Sequence, residues 1–159
     1  MSIPDDFTTL PDLAVRSLGG SVVAASDELF AERENLVRPG APGYQAATFG
    51  HKGQVYDGWE TRRRREPGHD WAIVRLGLPG VVRGVVVDTA HFTGNYPAEG
   101  DAANRFEVTA PHRLTYVRLC LYPDGGMARL RLHGQLAPAA RPLPSLDAIP
   151  RPLAARLAG

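Results

Sequence analysis

The sequence predicts an all-β domain, on three observations. Its 17 Gly and 14 Pro are spread along 159 residues and cut the chain into segments too short for a helical bundle. Two β-branched runs flank Gly77-Leu78-Pro79-Gly80. Beyond Arg113, apolar and polar residues alternate with the period of a half-buried strand.

The elements follow in chain order. Ser21-Val22-Val23-Ala24-Ala25, between a Gly pair and an acidic stretch, reads as a short strand. The runs Trp71–Leu76 and Val81–Val87 read as adjacent strands joined by a tight turn at Gly77–Gly80, the second apolar on both faces and deep in a sandwich. Val117, Leu119 and Leu121 alternate with Tyr116, Arg118, Cys120 and Tyr122. After Pro123-Asp124-Gly125-Gly126, Ala128, Leu130 and Leu132 alternate with Arg129, Arg131 and His133. This pattern predicts a hairpin with one apolar and one basic face. From Leu136 the chain turns to Pro, Ala and Leu, as a linker does. The run Leu153–Gly159 echoes Leu13–Gly19, as if a second copy began there. The expected division is an N-terminal extension over 1–11, a sandwich over 12–135 and a Pro/Ala-rich tail over 136–159.

Composition narrows the function. An apolar fraction of 43% with 22% charged residues suits a globular domain and excludes a disordered or fibrous class. A net charge of +1 gives no general attraction to polyanions, so nucleic acid is not the expected partner. The single cysteine, Cys120, excludes an internal disulfide and fits a reducing cytoplasm. No signal peptide and no membrane-length apolar run is visible.

Chemistry-bearing residues concentrate in two stretches. Between Val55 and Trp71 lie Asp57, Glu60, the run Arg62–Arg65, Glu66, His69 and Asp70, where a loop on a rigid scaffold would place functional groups. The same residues also read as plain structure, with Asp57-Gly58 a turn, the arginines a solvated surface, and Trp59 and Trp71 core. The second stretch, Asp88 to Pro97, follows the most apolar strand and contains His91 and Asn95. Asp88 there must be paired, ligating or solvated, because an isolated buried carboxylate is costly. The five His are scattered and no paired Cys exists, so zinc spacing is absent. The sequence leaves open a divalent cation held by Asp57 and loop carbonyls, and no other cofactor is implied. Nucleophile-elbow, phosphate-loop and dinucleotide motifs are missing.

Asp57-Gly58-Trp59-Glu60-Thr61-Arg62-Arg63 with Pro67-Gly68-His69-Asp70-Trp71 closely resembles the allantoicase family. In the family's order come Asp27–Ala31 with Glu34-Asn35-Leu36, Val87–Ala90 with Phe92–Pro97, and Tyr122–Gly126 with Ala128–Arg131. The resemblance runs from about Asp12 to Gly134 and departs at the stretch between Pro97 and His112, which is shorter than the family pattern. It implies a jelly-roll β-sandwich of the galactose-binding-like type, here the first of two repeats. It also implies hydrolysis of allantoate to ureidoglycolate and urea in allantoin degradation.

Allantoate carries one carboxylate and two ureido groups on one carbon. Arg62, as a planar clamp, and Asn95 suit its binding. Release of urea needs proton transfer to the departing nitrogen. His69 with Asp70, and Glu60 with Asp88, are the expected acid and base pairs. The partners expected are a small ureide, no nucleic acid, no membrane, and a second copy or second repeat. Two other readings stay open: a galactose-binding-like ligand-binding module, and a repeat with a purely structural role.

Overall fold

The longest β-branched segment organises all the others. The computed structural model describes residues 6–44, 48–51, 53–94 and 99–137. In order it contains β1 (Ser21–Ala25), β2 (Phe49–Gly50), β3 (Gly53–Gln54), β4 (Trp59–Glu60), β5 (Asp70–Asp88), β6 (Ala103–Glu107), β7 (Arg113–Leu121), β8 (Gly126–Met127) and β9 (Arg129–Leu136). Short 3₁₀ turns lie at Phe7–Thr9, Arg16–Leu18 and Arg33–Val37. Pairing is antiparallel throughout. The architecture is all-β, and β1 occupies the residues that the sequence assigns to it. No helix among the described residues is long and apolar enough to cross a membrane.

The runs on either side of Gly77–Gly80 are not two strands joined by a turn. They form one strand of 19 residues, β5. Its first half pairs with β1 along one edge and β7 along the other, for example Ala72 with Ala25 and with Leu119. Its second half pairs with β9 and β6, as Val85 does with Leu132 and with Phe106. Between Arg75 and Gly80 the register slips, because their partners on β7 are the close-set Tyr116 and Leu114. The surplus residues on β5 bulge, and the strand bends there. Gly77 allows the bend, since a Cβ on it would lie 2.2 Å from the Leu18 carbonyl oxygen.

The bend is sharp enough to bring the two ends of β5 back together. Asp70 N donates to Pro123 O, and Asp88 O accepts from Ala128 N. The chain from Pro123 to Ala128 spans at most ~18 Å, whereas an unbent strand of this length would run ~60 Å. Asp70 and Asp88 therefore lie at one end of the fold, and the loops there build the site.

The expected hairpin does not form either. β7 and β9 both pair with β5 and not with each other. Between them β8 leaves to pair with β4, through Trp59↔Met127 and Glu60↔Gly126, and carries the chain from one half of β5 to the other. The alternation itself survives. Leu121, Leu130 and Leu132 are buried with Trp59, Leu13, Leu36 and Val74 in one core. Trp71 is only half-buried, with the Arg118 guanidinium 5.2 Å above its ring.

Residues 6–11 of the N-terminal extension pack on the sandwich, with Phe7 buried and Pro11 O accepting from Gly134 N. Glu34 fastens the Arg33–Val37 turn to β1, accepting from Ser21 Oγ, Val22 N and Arg16 Nη2. The expected tail beyond Ala137 and the echo at Leu153–Gly159 lie outside the described residues.

Candidate functional site

Four loops meet at the end of the fold that holds both ends of β5. Strand pairing and side-chain hydrogen bonds lock three of them to each other. Trp59, fully buried, donates its indole N–H to Asp27 O at 2.8 Å, which fixes the loop after β1. Ala31 bridges Glu60. Thr61 Oγ1 donates to Gly125 O, and Arg64 N donates to Asp124 Oδ2 at 2.6 Å, so the Arg-rich segment lies along the loop after β7. The fourth loop, after β5, is closed by the buried Thr89, whose hydroxyl donates to Glu99 O and accepts from Ala102 N.

These loops enclose two adjoining open clefts. One, of about 760 Å³, is lined by Asp27, Arg62 and Asp70 among others. The other, of about 590 Å³, is lined by Glu60, Thr61, Gly94, Tyr122 and Asp124. Phe30, Arg63 and Arg64 belong to both. The stretch before Trp71 and the stretch after Val87 thus share a cavity wall, to which Glu60 and Gly94 both belong.

The structure redistributes the residues that the sequence grouped. Glu60 faces the smaller cleft, its backbone held between Ala31 and Gly126. Asp70 is 4% exposed and turned inward, accepting from Ser26 Oγ at 2.9 Å. His69 instead stacks on Tyr122 with ring centroids 4.5 Å apart. The expected His69–Asp70 pair is not formed, because neighbouring residues at a strand start project to opposite faces. Asp88 caps its own turn through Ala90 N and lines a different depression, with Asp12, Arg131 and His133. The expected Glu60–Asp88 pair is therefore absent as well. Arg62 is drawn to Asp27, donating Nε to Oδ2 and its backbone N–H to Oδ1, both at 2.8 Å. Asn95 lies outside the described residues.

Asp57 is occupied by protein donors. Its Oδ1 accepts from Arg38 at 3.1 Å, and its Oδ2 accepts from Arg129 and from Gly43 N, each at 2.8 Å. Arg129, only 2% exposed, makes Asp57 the partner of a buried guanidinium. Among the described residues no cluster of three or more His, Cys, Asp or Glu is arranged to hold a metal ion.

Sequence reasoning missed Asp124, Tyr122 and Arg64. Tyr122-Pro123-Asp124-Gly125-Gly126 read as a turn and as part of the family resemblance but not as a site, and Arg64 was merged into a run of four like residues. The pairing of β4 with β8 brings Tyr122 and Asp124 to the cleft that Glu60 lines.

Three carboxylates carry a pH dependence. Burial works to raise Asp27, Glu34 and Asp57, but hydrogen bonds and nearby arginines outweigh it and hold all three below the ordinary carboxylate range. For Asp27 the main opposing donors are the backbone N–H groups of Arg62 and Leu29. For Glu34 they are Ser21 and Arg16, and for Asp57 Arg129 and Gly43. A depressed folded-state value stabilises above the unfolded value of ~4 and loses that contribution as pH falls through the folded value. The urea midpoint should hold between pH 7 and 5 and fall steeply below pH ~4. A midpoint unchanged down to pH 2 would show that these contacts do not hold in solution.

The fold has counterparts among known proteins. A family model described as an allantoicase repeat matches residues 11–101 and 98–137. A probable allantoicase of Nocardia farcinica is 51% identical, with 90% of this chain and 53% of the relative covered. The crystal structure of allantoicase from Saccharomyces cerevisiae superposes with a TM-score of 0.65 at 33% identity, covering 82% of this chain and 49% of that one. The C-terminal domain of a chitobiase from Bacteroides fragilis, 11% identical, gives a TM-score of 0.53 over 75% of this chain and 95% of the domain, a likeness of fold alone. The chain thus spans about half the length of the curated relatives it matches. The Nocardia match runs over 177 aligned residues, more than the 159 of this chain, so the relative carries segments with no counterpart here. The two stretches of the family match meet at residues 98–101, immediately before β6.

Proposed function

The chain belongs to the allantoicase family, and on that premise we propose that it is a substrate-binding and catalytic sandwich unit that hydrolyses allantoate to ureidoglycolate and urea. The observation that carries this reading is the pair of joined clefts, whose wall carries Arg62, Arg63, Arg64 and Arg65 together with the carboxylates Glu60 and Asp124. Such a wall answers the single negative charge of allantoate, and the carboxylates accept hydrogen bonds from its ureido N–H groups.

The reaction breaks one bond from the central carbon to nitrogen and forms one to oxygen. Water supplies the hydroxyl that stays on carbon, and its remaining proton leaves with the nitrogen of urea. Glu60 is placed to carry that proton, taking it from the attacking water and delivering it to the departing nitrogen. Its rigid backbone setting between Ala31 and Gly126 limits the reorganisation this transfer needs. His69 meets the cleft through Tyr122, and Arg62 borders it while tied to Asp27. Both are therefore assigned to shaping the cleft, and Asp70 and Asp88 to holding its loops. A divalent cation is not assigned a place, and its addition is a control.

The setting we propose is the cytoplasm, with a second sandwich unit as partner, either a further repeat or another copy. The relatives' length of about twice the matched span supports that pairing. The test is urea release from allantoate by this chain, with and without divalent cations. We expect release above the uncatalysed rate. Binding without release would leave a ligand-binding unit, and failure to bind would remove the ureide reading.

A further inference from the structure

Arginines 62–65 look interchangeable in the sequence, but the fold treats them differently. Arg62 is committed to Asp27, with its side chain 65% exposed. Arg63 and Arg65 are exposed. Arg64 is half-buried and is pinned at its backbone by Asp124. Its guanidinium lies over Gly68, where a Cβ would come within 3.0 Å of Nη2 and 3.2 Å of both Cζ and Nε. Gly68 also has a φ of +136°, so no other residue is easily accommodated there. The segment that delivers Arg64 therefore leaves a bare backbone surface for its planar head.

The Arg64 Nε is buried and finds no acceptor among the described residues, and no ion pair to its guanidinium is formed among them. Buried donors in native proteins are nearly always satisfied, and an orphan marks a place where something else accepts. Arg64 also borders both clefts, whereas Arg62 borders only one of the two.

Resting on the allantoate reading above, we propose that Arg64, and not Arg62, binds the substrate carboxylate. A small turn of the guanidinium off Gly68 aligns it with a carboxylate in the shared mouth of the clefts. Two parallel N–H···O bonds then supply an acceptor for the Nε that no described residue satisfies. The central carbon is left facing Glu60 and Asp124. Specificity for an α-ureido acid over a neutral ureide follows, because without the negative charge the guanidinium stays unpaired.

The experiment compares binding of allantoate and of its carboxamide analogue by calorimetry, in the wild-type chain and in Arg64→Ala, Arg64→Lys and Arg62→Ala. The wild type should prefer allantoate by about 10- to 100-fold, the range for hydrogen bonds to a charged partner. Arg64→Ala should erase the preference by weakening allantoate alone, and Arg64→Lys should restore only part of it. Arg62→Ala should keep it. Thermal unfolding of each variant separates misfolding from lost recognition, and the Lys variant serves if the Ala variant is unstable. If the wild type binds allantoate but the preference persists in both Arg64 variants, or collapses in Arg62→Ala, the assignment to Arg64 is wrong while the ureide reading stands. If the wild type binds neither ligand, the ureide reading itself fails.

Discussion

Glu60→Gln should lower urea release from allantoate by about 10²- to 10⁴-fold, the usual contribution of a positioned acid–base group. The substitution keeps the size of the side chain and one oxygen to accept a ureido N–H, while it removes the charge and the ability to carry a proton. Binding of allantoate should change little, so the loss falls on kcat and not on KM. The neighbours grade the effect. Asp88→Ala, in the separate depression beside Asp12 and His133, should leave turnover within about threefold of the parent once stability is matched. His69→Ala should act through the Tyr122 ring it supports and give a smaller loss than Glu60→Gln. Full turnover in Glu60→Gln, or a larger loss in Asp88→Ala than in Glu60→Gln, would move the chemistry out of the cleft.

The largest stability effect is expected at Asp57. Asp57→Ala strands the Arg129 guanidinium, 2% exposed, without its carboxylate partner. Removing one member of a buried pair costs about 3–5 kcal/mol, and the partial exposure of Asp57 places this one near ~3 kcal/mol. Arg129→Met should cost less, because Arg38 and Gly43 N still hold the partly solvated carboxylate and the methionine fills the buried site. Urea denaturation of the two variants measures the difference. Equal, small losses would mean that Arg129 finds another acceptor, and they would reopen Asp57 to other roles, cation binding included.

The contrast between these two carboxylates shows what the residues alone could reveal. The all-β class was legible because Gly and Pro punctuation and period-2 alternation are local signals. The run from Ser21 to Ala25 shows this, forming a strand where its composition indicates. Partner choice was not legible. Alternation in residues 113–121 and 129–136 fixes which face points inward, but any antiparallel neighbour satisfies it, and β5 outcompeted the short-range hairpin. The bend at Gly77–Gly80 was seen as punctuation, yet nothing local says whether such a break ends a strand or folds one back.

Site residues divided along the same line. Glu60 and the arginines stood out by density of polar groups. Asp124 and Tyr122 did not, because their importance arises from the β4–β8 pairing between residues far apart in sequence. Asp57 looked like a ligand for a divalent cation, and the cations the fold sets against it are the guanidinium groups of Arg38 and of Arg129 from β9. No sequence pattern announces a buried guanidinium arriving from so distant a strand.

All of these proposed roles require that allantoate occupy the joined clefts at the end of the sandwich where β5 returns on itself. A titration of the isotopically labelled chain with allantoate, followed through its backbone amide resonances, tests this directly. Saturable shifts should concentrate at Phe30, Glu60, Arg63, Arg64, Tyr122 and Asp124. Shifts confined instead to Asp12, Asp88 and His133, or saturation with no change around Glu60, would contradict it.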